Sequence, residues 1–223
     1  MRFLRFFLQP FESKSVSKNR RPRSMPPYLV RDQRRRRVNS QATTDNELMF
    51  QVRDGDVVKL GVLFERHNVK LYNFLVRLTN RPDVSEDLVQ DVFLRIMRYG
   101  HSFRGEAPFT VWMYQLARNA ATDHFRKWRR ETPLPESAAE TPDNDPLPAE
   151  SLEQKERAEL IKKALALLPV EKREVLILSR YQDLKYEEIG EILGCPVGTV
   201  KAKVHRALKE LKREYQKLSR EKM

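Results

Sequence analysis

The chain is poor in cysteine and glycine, with one cysteine and seven glycines among 223 residues. One cysteine excludes an internal disulfide framework, and so few glycines exclude collagen-like repeats. No apolar run approaches the ~20 residues that a membrane-spanning helix needs. The apolar N-terminal stretch is interrupted by Arg5 and Pro10 and lacks a small-residue cleavage site, unlike a signal peptide. The lone Cys195 suits a reducing compartment, so we expect a cytoplasmic protein without membrane insertion.

The sequence also lacks the common signatures of enzymes and cofactor sites. Its four histidines are scattered and, with one cysteine, give no metal-ligand spacing. There is no G-x-x-x-x-G-K-[ST] phosphate loop, and Asp54-Gly55-Asp56 is too short for a calcium loop. We therefore expect no catalysis, no metal and no cofactor, which disfavours a nuclease or another nucleic-acid enzyme.

The charge is positive overall and unevenly distributed. The net charge is +12, and residues 1–44 hold twelve Lys and Arg against two acids. Without a sustained apolar period, this segment predicts a disordered basic tail. Residues 131–152 hold six acids and no Lys or Arg among prolines and serines, which predicts a flexible acidic linker. Two folded blocks remain, at 45–130 and 153–223.

Both blocks carry apolar residues at helical spacing, and the sequence predicts an all-α protein with two helical domains. In the first block we expect Asp56 to cap a helix that Arg81-Pro82 ends. The run Asp83–Glu86 offers a capping box for the next helix. Pro108 fits the first turn of a long helix that reaches about Arg130.

The second block ends in a short helix, a glycine turn and a long basic helix. We expect helices at Glu153–Leu168, Lys172–Tyr181 and Tyr186–Leu193, a turn at Gly194-Cys195-Pro196, and a helix from Val197 into the 210s. This order is typical of a helix-turn-helix, whose second helix enters the major groove of DNA. Opposite its apolar face lie Thr199, Ala202 and Arg206, flanked by Lys203 and His205, with Lys201 at the edge. The alternative is a solvated charged face on a core helix.

The long helix of the first block interleaves cations with aromatic residues. Its polar stripe comprises Gln115, Arg118, Asn119, Thr122, Arg126 and Arg129, and Phe103 precedes it. Cations beside stacking faces suit melted nucleic acid. The alternative places the aromatic residues in the core and makes the basic end ordinary surface. We favour the core for Trp112 and leave both possibilities open for Phe103 and Asn119.

Three acids, Glu86, Asp87 and Asp91, cluster near the start of the second helix. Complementarity to the helix dipole, worth about 0.3–1 kcal/mol each, could explain them. A protein-docking surface is the alternative.

Taken in order, these segments resemble the extracytoplasmic-function (ECF) sigma factors from about Asp45 to Lys217. Region 2 is matched by Ser85–Phe93, Ser102–Glu106 and Trp112-Met113-Tyr114, and region 4 by Tyr186–Ile189, Gly194–Lys201 and His205-Arg206-Ala207. The resemblance implies a dissociable subunit that directs bacterial RNA polymerase to promoters. Core RNA polymerase and promoter DNA are the implied partners, and an anti-sigma factor is expected. A stand-alone helix-turn-helix regulator is the rival hypothesis.

The resemblance also assigns residues to surfaces. It implies that region 2 docks on the polymerase through Asp87, Gln90 and Asp91. Phe103 and Asn119 match positions that line the pocket for a flipped base of the −10 element, and Arg118 and Arg126 join that candidate surface. The candidate −35 contacts are Thr199, Lys201, Ala202, Lys203, His205 and Arg206.

The chain departs from the family pattern at two positions and in its tail. Lys185 stands where a serine usually caps the next helix, and we expect that cap to be lost at about 1 kcal/mol. Ala202 replaces a common serine, which predicts one apolar promoter contact. The tail of residues 1–44 has no counterpart in the family's core pattern.

Overall fold

A computed structural model describes residues 43–131, 152–182 and 184–221. Within these ranges the chain forms eight α-helices and one 3₁₀ turn, without a strand. The all-α class predicted from the sequence is confirmed. The predicted basic tail and acidic linker lie almost entirely outside the described residues.

Four helices form an N-terminal module. They are α1 (Asp45–Arg53), α2 (Val58–Thr79), α3 (Pro82–Tyr99) and α4 (Phe109–Glu131), with a 3₁₀ turn at Gly100–Ser102. Their shared core includes Leu63, Leu71, Phe74, Ile96 and Met113, all fully buried. α2 ends just before Arg81-Pro82, as the sequence predicts.

The first helix, α1, is absent from the sequence prediction although its start carries a clear signal. The Thr44 hydroxyl accepts from the Glu47 amide at 3.3 Å, and the Glu47 carboxylate accepts from the Thr44 amide at 2.7 Å. This reciprocal pair is a capping box that satisfies two amides at the helix start. Leu48, Met49 and Val52 then bury the inner face of α1.

Two predicted helix starts are wrong. The residue before α2 is Val57, without a side-chain cap, and Asp56 contributes only its carbonyl oxygen, which accepts from the Lys59 amide at 3.1 Å. α3 begins at Pro82 instead of using the predicted box, because proline takes a first-turn position without losing a hydrogen bond. Ser85 is therefore inside the helix, fully buried.

Four further helices form a C-terminal module. They are α5 (Leu152–Ala166), α6 (Val170–Tyr181), α7 (Tyr186–Leu193) and α8 (Val197–Glu221). The predicted turn joins α7 to α8, with Gly194 at a φ of +64° that suits glycine. Gly190 lies so close to this turn that a Cβ there would meet the Cys195 carbonyl oxygen at 2.8 Å. The turn and the angle between α7 and α8 therefore depend on glycine at both positions.

The two modules pack directly against each other. α2 contacts α6, and α4 contacts α7. The Arg173 guanidinium of α6 donates to the Leu78 carbonyl at 2.8 Å near the end of α2, a position where helix carbonyls lack intrahelical partners. It also donates to the Leu168 carbonyl at 3.0 Å, so one buried cation joins both modules.

Candidate nucleic-acid interface

The outer face of α8 is the most open candidate surface. Burial of Val200, Val204, Ala207 and Leu211 fixes the inner face of the helix against the C-terminal module. Of the six predicted −35 residues, Lys201, Ala202, His205 and Arg206 are exposed, and Thr199 and Lys203 are half-buried. We call these six residues the outer face of α8. This face carries three cations, a histidine and the methyl group of Ala202 on one helix. Side chains of these types can form hydrogen bonds and apolar contacts with base edges.

Arg206 lies at the centre of this face. Its Nε donates to the Ala202 carbonyl one turn earlier at 3.3 Å, which directs the side chain along the helix toward its N-terminal end. The N-terminal residues of a recognition helix are those that meet base edges.

The start of α7 retains half of its cap despite Lys185. The lysine side chain has only donors, so it cannot accept from the amides of the first turn. The Glu188 carboxylate does accept from the Lys185 amide at 2.7 Å. The loss of the serine cap, expected from the sequence, is thus limited to one of the two reciprocal bonds.

Phe103 lies inside an aromatic cluster and is only 3% exposed. Its ring centroid is 5.5 Å from that of Phe50, 5.3 Å from Trp112 and 6.3 Å from Phe109. Trp112 is half-buried in the same cluster, in line with its predicted core role. In this arrangement Phe103 presents no open stacking face, and its contact with a flipped base stays a prediction.

Asn46 holds the loop between Phe103 and α4, a role the sequence analysis missed. Its side-chain amide donates to the Ala107 carbonyl at 3.2 Å and accepts from the Phe109 amide at 2.7 Å. It thereby satisfies an amide at the start of α4. No local pattern marks this role, because the partners of Asn46 lie more than 60 residues away along the chain.

Asp45 connects the start of α1 to α2 through its carboxylate. Its two carboxylate oxygens lie 2.6 Å from a guanidinium nitrogen of Arg66 and 2.7 Å from Nε2 of His67. The His67 ring is 5.5 Å from that of Phe109. These long-range pairs, invisible in the sequence, fix α1 and α2 beside the aromatic cluster.

The predicted basic stripe of α4 is only partly open. Asn119 and Arg126 are exposed, and Arg126 donates to Asp123 at 2.7 Å. Arg118 is half-buried, and its Nε donates to the Glu174 carboxylate of α6 at 3.0 Å. Burial raises the pKa of Glu174, which Arg118 opposes. Arg118, one of the four predicted −10 residues, is thus engaged in an ion pair with the C-terminal module.

The acidic face of α3 extends beyond the reach of the helix dipole. Asp83 is the acid of the first turn, and its pKa is lowered chiefly by the hydrogen bond from Arg81. Asp87 lies beyond that turn, where the dipole effect falls off, and is exposed. Asp91 accepts from Arg95 at 2.9 Å. The helix dipole therefore does not explain why acidic residues stand at positions 87 and 91.

Apolar side chains continue this face. Gln90 is exposed, and Leu94 and Met97 follow it at helical spacing with 59% and 52% of their surfaces exposed. Acids beside exposed apolar side chains are typical of a protein-docking surface. Asp87, Gln90, Asp91, Leu94 and Met97 together form what we call the outer face of α3.

Comparison with known proteins places both modules in one family. The family model of sigma-70 region 2 matches residues 63–131, and that of sigma-70 region 4 matches residues 158–211. The chain is 30% identical over 184 residues to the ECF RNA polymerase sigma-E factor of Haemophilus influenzae, covering 78% of this chain and 97% of the relative. It is 28% identical over 186 residues to the RNA polymerase sigma-H factor of Pseudomonas aeruginosa, covering 79% and 96%.

A solved structure supports the same assignment. The sigma factor RpoE of Bartonella quintana, in complex with the anti-sigma factor NepR, superposes with a TM-score of 0.57 and 28% identity over 66% of this chain and 89% of that chain. The chain belongs to the ECF subfamily of the sigma-70 family. It is thus a sigma factor that acts with RNA polymerase and promoter DNA in transcription initiation, and a stand-alone regulator is not favoured because the N-terminal module matches region 2.

Two other kinds of feature are absent from the part of the chain that the structure describes. No helix there is long and apolar enough to cross a membrane. No group of three or more His, Cys, Asp or Glu side chains in those ranges is placed to hold a metal ion.

Proposed function

We propose that the two modules divide promoter recognition between them. Residues 45–130 act as region 2, which docks on the polymerase and recognises and melts the −10 element, and residues 153–223 act as region 4, which recognises the −35 element. Residues 131–152 tether them. The observation that carries this proposal is the arrangement of α8, whose inner face is buried and whose outer face has four of six residues exposed, beside a second module that matches region 2 of the same family.

At the −35 element the outer face of α8 supplies the contacts. Arg206 can donate two hydrogen bonds to the O6 and N7 of guanine, and the Ala202 methyl can pack on a thymine methyl. Lys201, Lys203 and His205 flank these two residues and supply further polar contacts. Thr199 lies near the start of α8, where a hydroxyl and the helix amides suit a phosphate.

At the −10 element, exposed Asn119 and Arg126 are the first residues that DNA meets. Phe103 stacks on a flipped base only after its cluster opens, since the ring is now covered by Phe50 and Trp112. Unstacking a base costs a few kcal/mol, which polymerase and pocket contacts offset. Arg118 joins this surface once it leaves Glu174.

The outer face of α3 docks on the polymerase. Its acids Asp87 and Asp91 attract a basic partner surface, and Leu94 and Met97 supply the apolar contact area. We also propose that the protein is cytoplasmic and has no catalytic activity of its own. An anti-sigma factor is a further proposed partner, because the Bartonella neighbour was solved with one.

Run-off transcription tests this function directly. Core bacterial RNA polymerase, with and without the chain, is given a library of templates randomised across the promoter. We expect transcripts from a subset of templates with two selected blocks, one at −35 and one at −10. Equal transcription with and without the chain would show that it does not act as a sigma factor.

A further inference from the structure

Helix α1 lies against the loop that joins α3 to α4. This loop, residues 100–108, carries Phe103 and therefore belongs to the candidate −10 surface. α1 contacts both the 3₁₀ turn at the start of the loop and α4 at its end. The region 2 family model begins at residue 63, so α1 is outside the residues that it matches. The position of the loop thus depends on a helix to which the family match gives no role.

Two consecutive residues of α1 pack on the start and the middle of the loop. Met49 is fully buried, and its Cε lies 2.9 Å from the position that a Cβ at Gly100 would take. The Phe50 ring takes the corresponding space at Gly105, and its centroid is 5.5 Å from that of Phe103. The loop therefore approaches α1 so closely that two of its positions leave no room for a side chain.

Asn46 binds the end of the loop with both halves of its side-chain amide. The Nδ2 group donates to the Ala107 carbonyl at 3.2 Å, and Oδ1 accepts from the Phe109 amide at 2.7 Å. The two bonds lie on either side of Pro108, which has no N–H group of its own. Asparagine offers a donor and an acceptor, whereas an ionised aspartate can only accept. A side-chain amide at position 46 therefore satisfies both backbone groups at once.

These contacts fix the surroundings of the Phe103 ring. The ring packs against Phe50 of α1 and Trp112 of α4, with centroids 5.5 Å and 5.3 Å away, and we call the site that these two rings form the Phe103 slot. Asn46 stands one turn before Phe50 on α1. Phe109 stands one turn before Trp112 on α4. The hydrogen bond from the Phe109 amide to Asn46 therefore fixes the distance between the two helices one turn away from the slot.

We propose that Asn46 is a positioning residue for recognition of the −10 element: by joining α1 to the start of α4, it holds the Phe103 slot in one geometry and so decides which base the loop selects. The proposal rests on the proposed function, which assigns the loop to the −10 element. A loop held in one geometry is preorganised for one base, whereas a loop that moves accepts several bases with similar affinity. Loss of Asn46 should therefore relax the choice of base at −10 and leave −35 recognition by α8 unchanged.

Asn46→Asp tests this role with the smallest change. The carboxylate can still accept from the Phe109 amide, and aspartate satisfies a helix start as well as asparagine does. It cannot donate to the Ala107 carbonyl, so only the bond to the loop is lost. Gln51→Glu makes the same amide-to-acid change at an exposed position of the same helix and is the matched control. Asn46→Ala removes both bonds without adding a charge.

The first readout is transcription from templates that keep the −35 block selected in the run-off experiment and are randomised only across the −10 block. In both Asn46 variants we expect the enrichment of the preferred −10 bases to fall by about three- to tenfold, the effect of one lost hydrogen bond. Gln51→Glu should keep the parent profile. All variants should bind a duplex carrying the selected −35 block as tightly as the parent chain. A merely destabilised chain would transcribe all templates less and would keep the parent's preference.

The second readout needs neither polymerase nor DNA. The chain has two tryptophans, so Trp128→Phe leaves Trp112 of the Phe103 slot as the sole source of tryptophan fluorescence. In this background, acrylamide should quench Trp112 more strongly in the Asn46 variants than in Gln51→Glu, with unchanged circular dichroism spectra. Equal quenching in all variants would overturn the proposal, because Asn46 would then not hold the slot.

The −10 profile separates positioning from packing. An unchanged profile in a folded Asn46 variant would overturn the proposal even if quenching increases, because Asn46 would then serve only the packing of the module. If Asn46→Asp does not fold, Asn46→Ala carries the same expectations. Failure of the parent chain to transcribe any promoter specifically would instead count against the proposed function, and the −10 role of Asn46 would fall with it.

Discussion

The two modules differ in how they present their candidate DNA contacts. The outer face of α8 is open, with four of its six residues exposed, whereas Phe103 of the N-terminal module is buried in its own aromatic cluster. The cause is chemical. Lysine and arginine cannot enter a core unpaired, so a helix that bears them leaves them in solvent. An apolar ring such as Phe103 is stabilised by burial, and here it packs against Phe50 and Trp112.

Under the proposed function, this difference means that the two contacts form by different routes. The proposed −35 contact is preformed on a packed helix. The proposed −10 contact of Phe103 needs a local rearrangement, and its loop is held by Asn46 and by the turn at Gly105. The following predictions separate the two routes, from the largest expected effect to the smallest.

Gly105→Ala should disrupt the N-terminal module most. Gly105 has a φ of +73°, and a Cβ there would lie 2.3 Å from Cζ of Phe50. Backbone strain and overpacking together should destabilise the module by about 2–4 kcal/mol, as measured by thermal unfolding. Gly61→Ala is the matched control, because its site on α2 has no neighbour within 4 Å and should gain about 0.5–1 kcal/mol. Equal melting temperatures for the two variants would show that the aromatic loop is not constrained by this turn.

Arg206→Ala should weaken binding to the selected −35 duplex by about 1–3 kcal/mol, close to tenfold or more, and should flatten selection at one or two positions. The side chain is exposed, so circular dichroism should not change. Lys209→Ala, one turn farther along, should weaken binding to all sequences about equally and reduce the dependence on salt. An unchanged sequence preference in Arg206→Ala would move the base contacts toward Lys201 and Lys203.

Asp87→Ala should weaken binding to core polymerase about three- to fivefold, because an exposed interfacial charge contributes modestly. Asp91→Ala should have a smaller effect, since Arg95 already neutralises that carboxylate. Asp56→Ala removes the same charge from the loop between α1 and α2 and serves as the control in a pull-down titration. If Asp56→Ala weakens binding as much as Asp87→Ala, the acids act through net charge and the outer face of α3 is not the docking surface.

Acidification should stabilise the packing of the two modules slightly. Burial raises the pKa of Glu174 above its ordinary value of 4.5, Glu171 reinforces the rise, and Arg118 and Lys203 oppose it. The packed arrangement therefore binds a proton more readily than the unfolded chain, so its stability rises as the pH falls through the raised pKa toward 4.5. Thermal unfolding over this window should show the gain in the parent chain, and Glu174→Gln, which cannot titrate, should lack it. A gain of the same size in Glu174→Gln would assign it to another group.

The sequence predicted the elements that depend on local pattern. The helix-turn-helix was correct down to Tyr186–Leu193 and the glycine turn, because its apolar spacing and its turn residues act within a few positions. The open state of the outer face of α8 followed from the same pattern. Two helix starts were misplaced: at α3 the proline at the first turn replaced the predicted capping box, and at α2 the residue before the helix is Val57, which has no capping side chain.

The remaining features depend on partners far apart in the chain. Asn46 binds backbone groups of residues 107 and 109, and Glu174 binds Arg118 across the modules. Nothing in the spacing of these residues marks them as partners. The burial of Phe103 was left open for the same reason, since its cover comes partly from Phe50 on a helix that the sequence analysis did not assign.

On α8 the buried residues that hold the helix and the exposed residues of its outer face are separate sets, which affects how the sequence of such a protein can diverge. The residues that hold the helix in place, Val200, Val204, Ala207 and Leu211, are all different from the candidate DNA contacts of the outer face. Substitutions on the outer face can therefore accumulate with little effect on folding stability, since exposed positions typically change it by no more than 0.5 kcal/mol. A duplicated copy of this chain can acquire a new set of target promoters by a few surface substitutions while it keeps the same scaffold and the same polymerase.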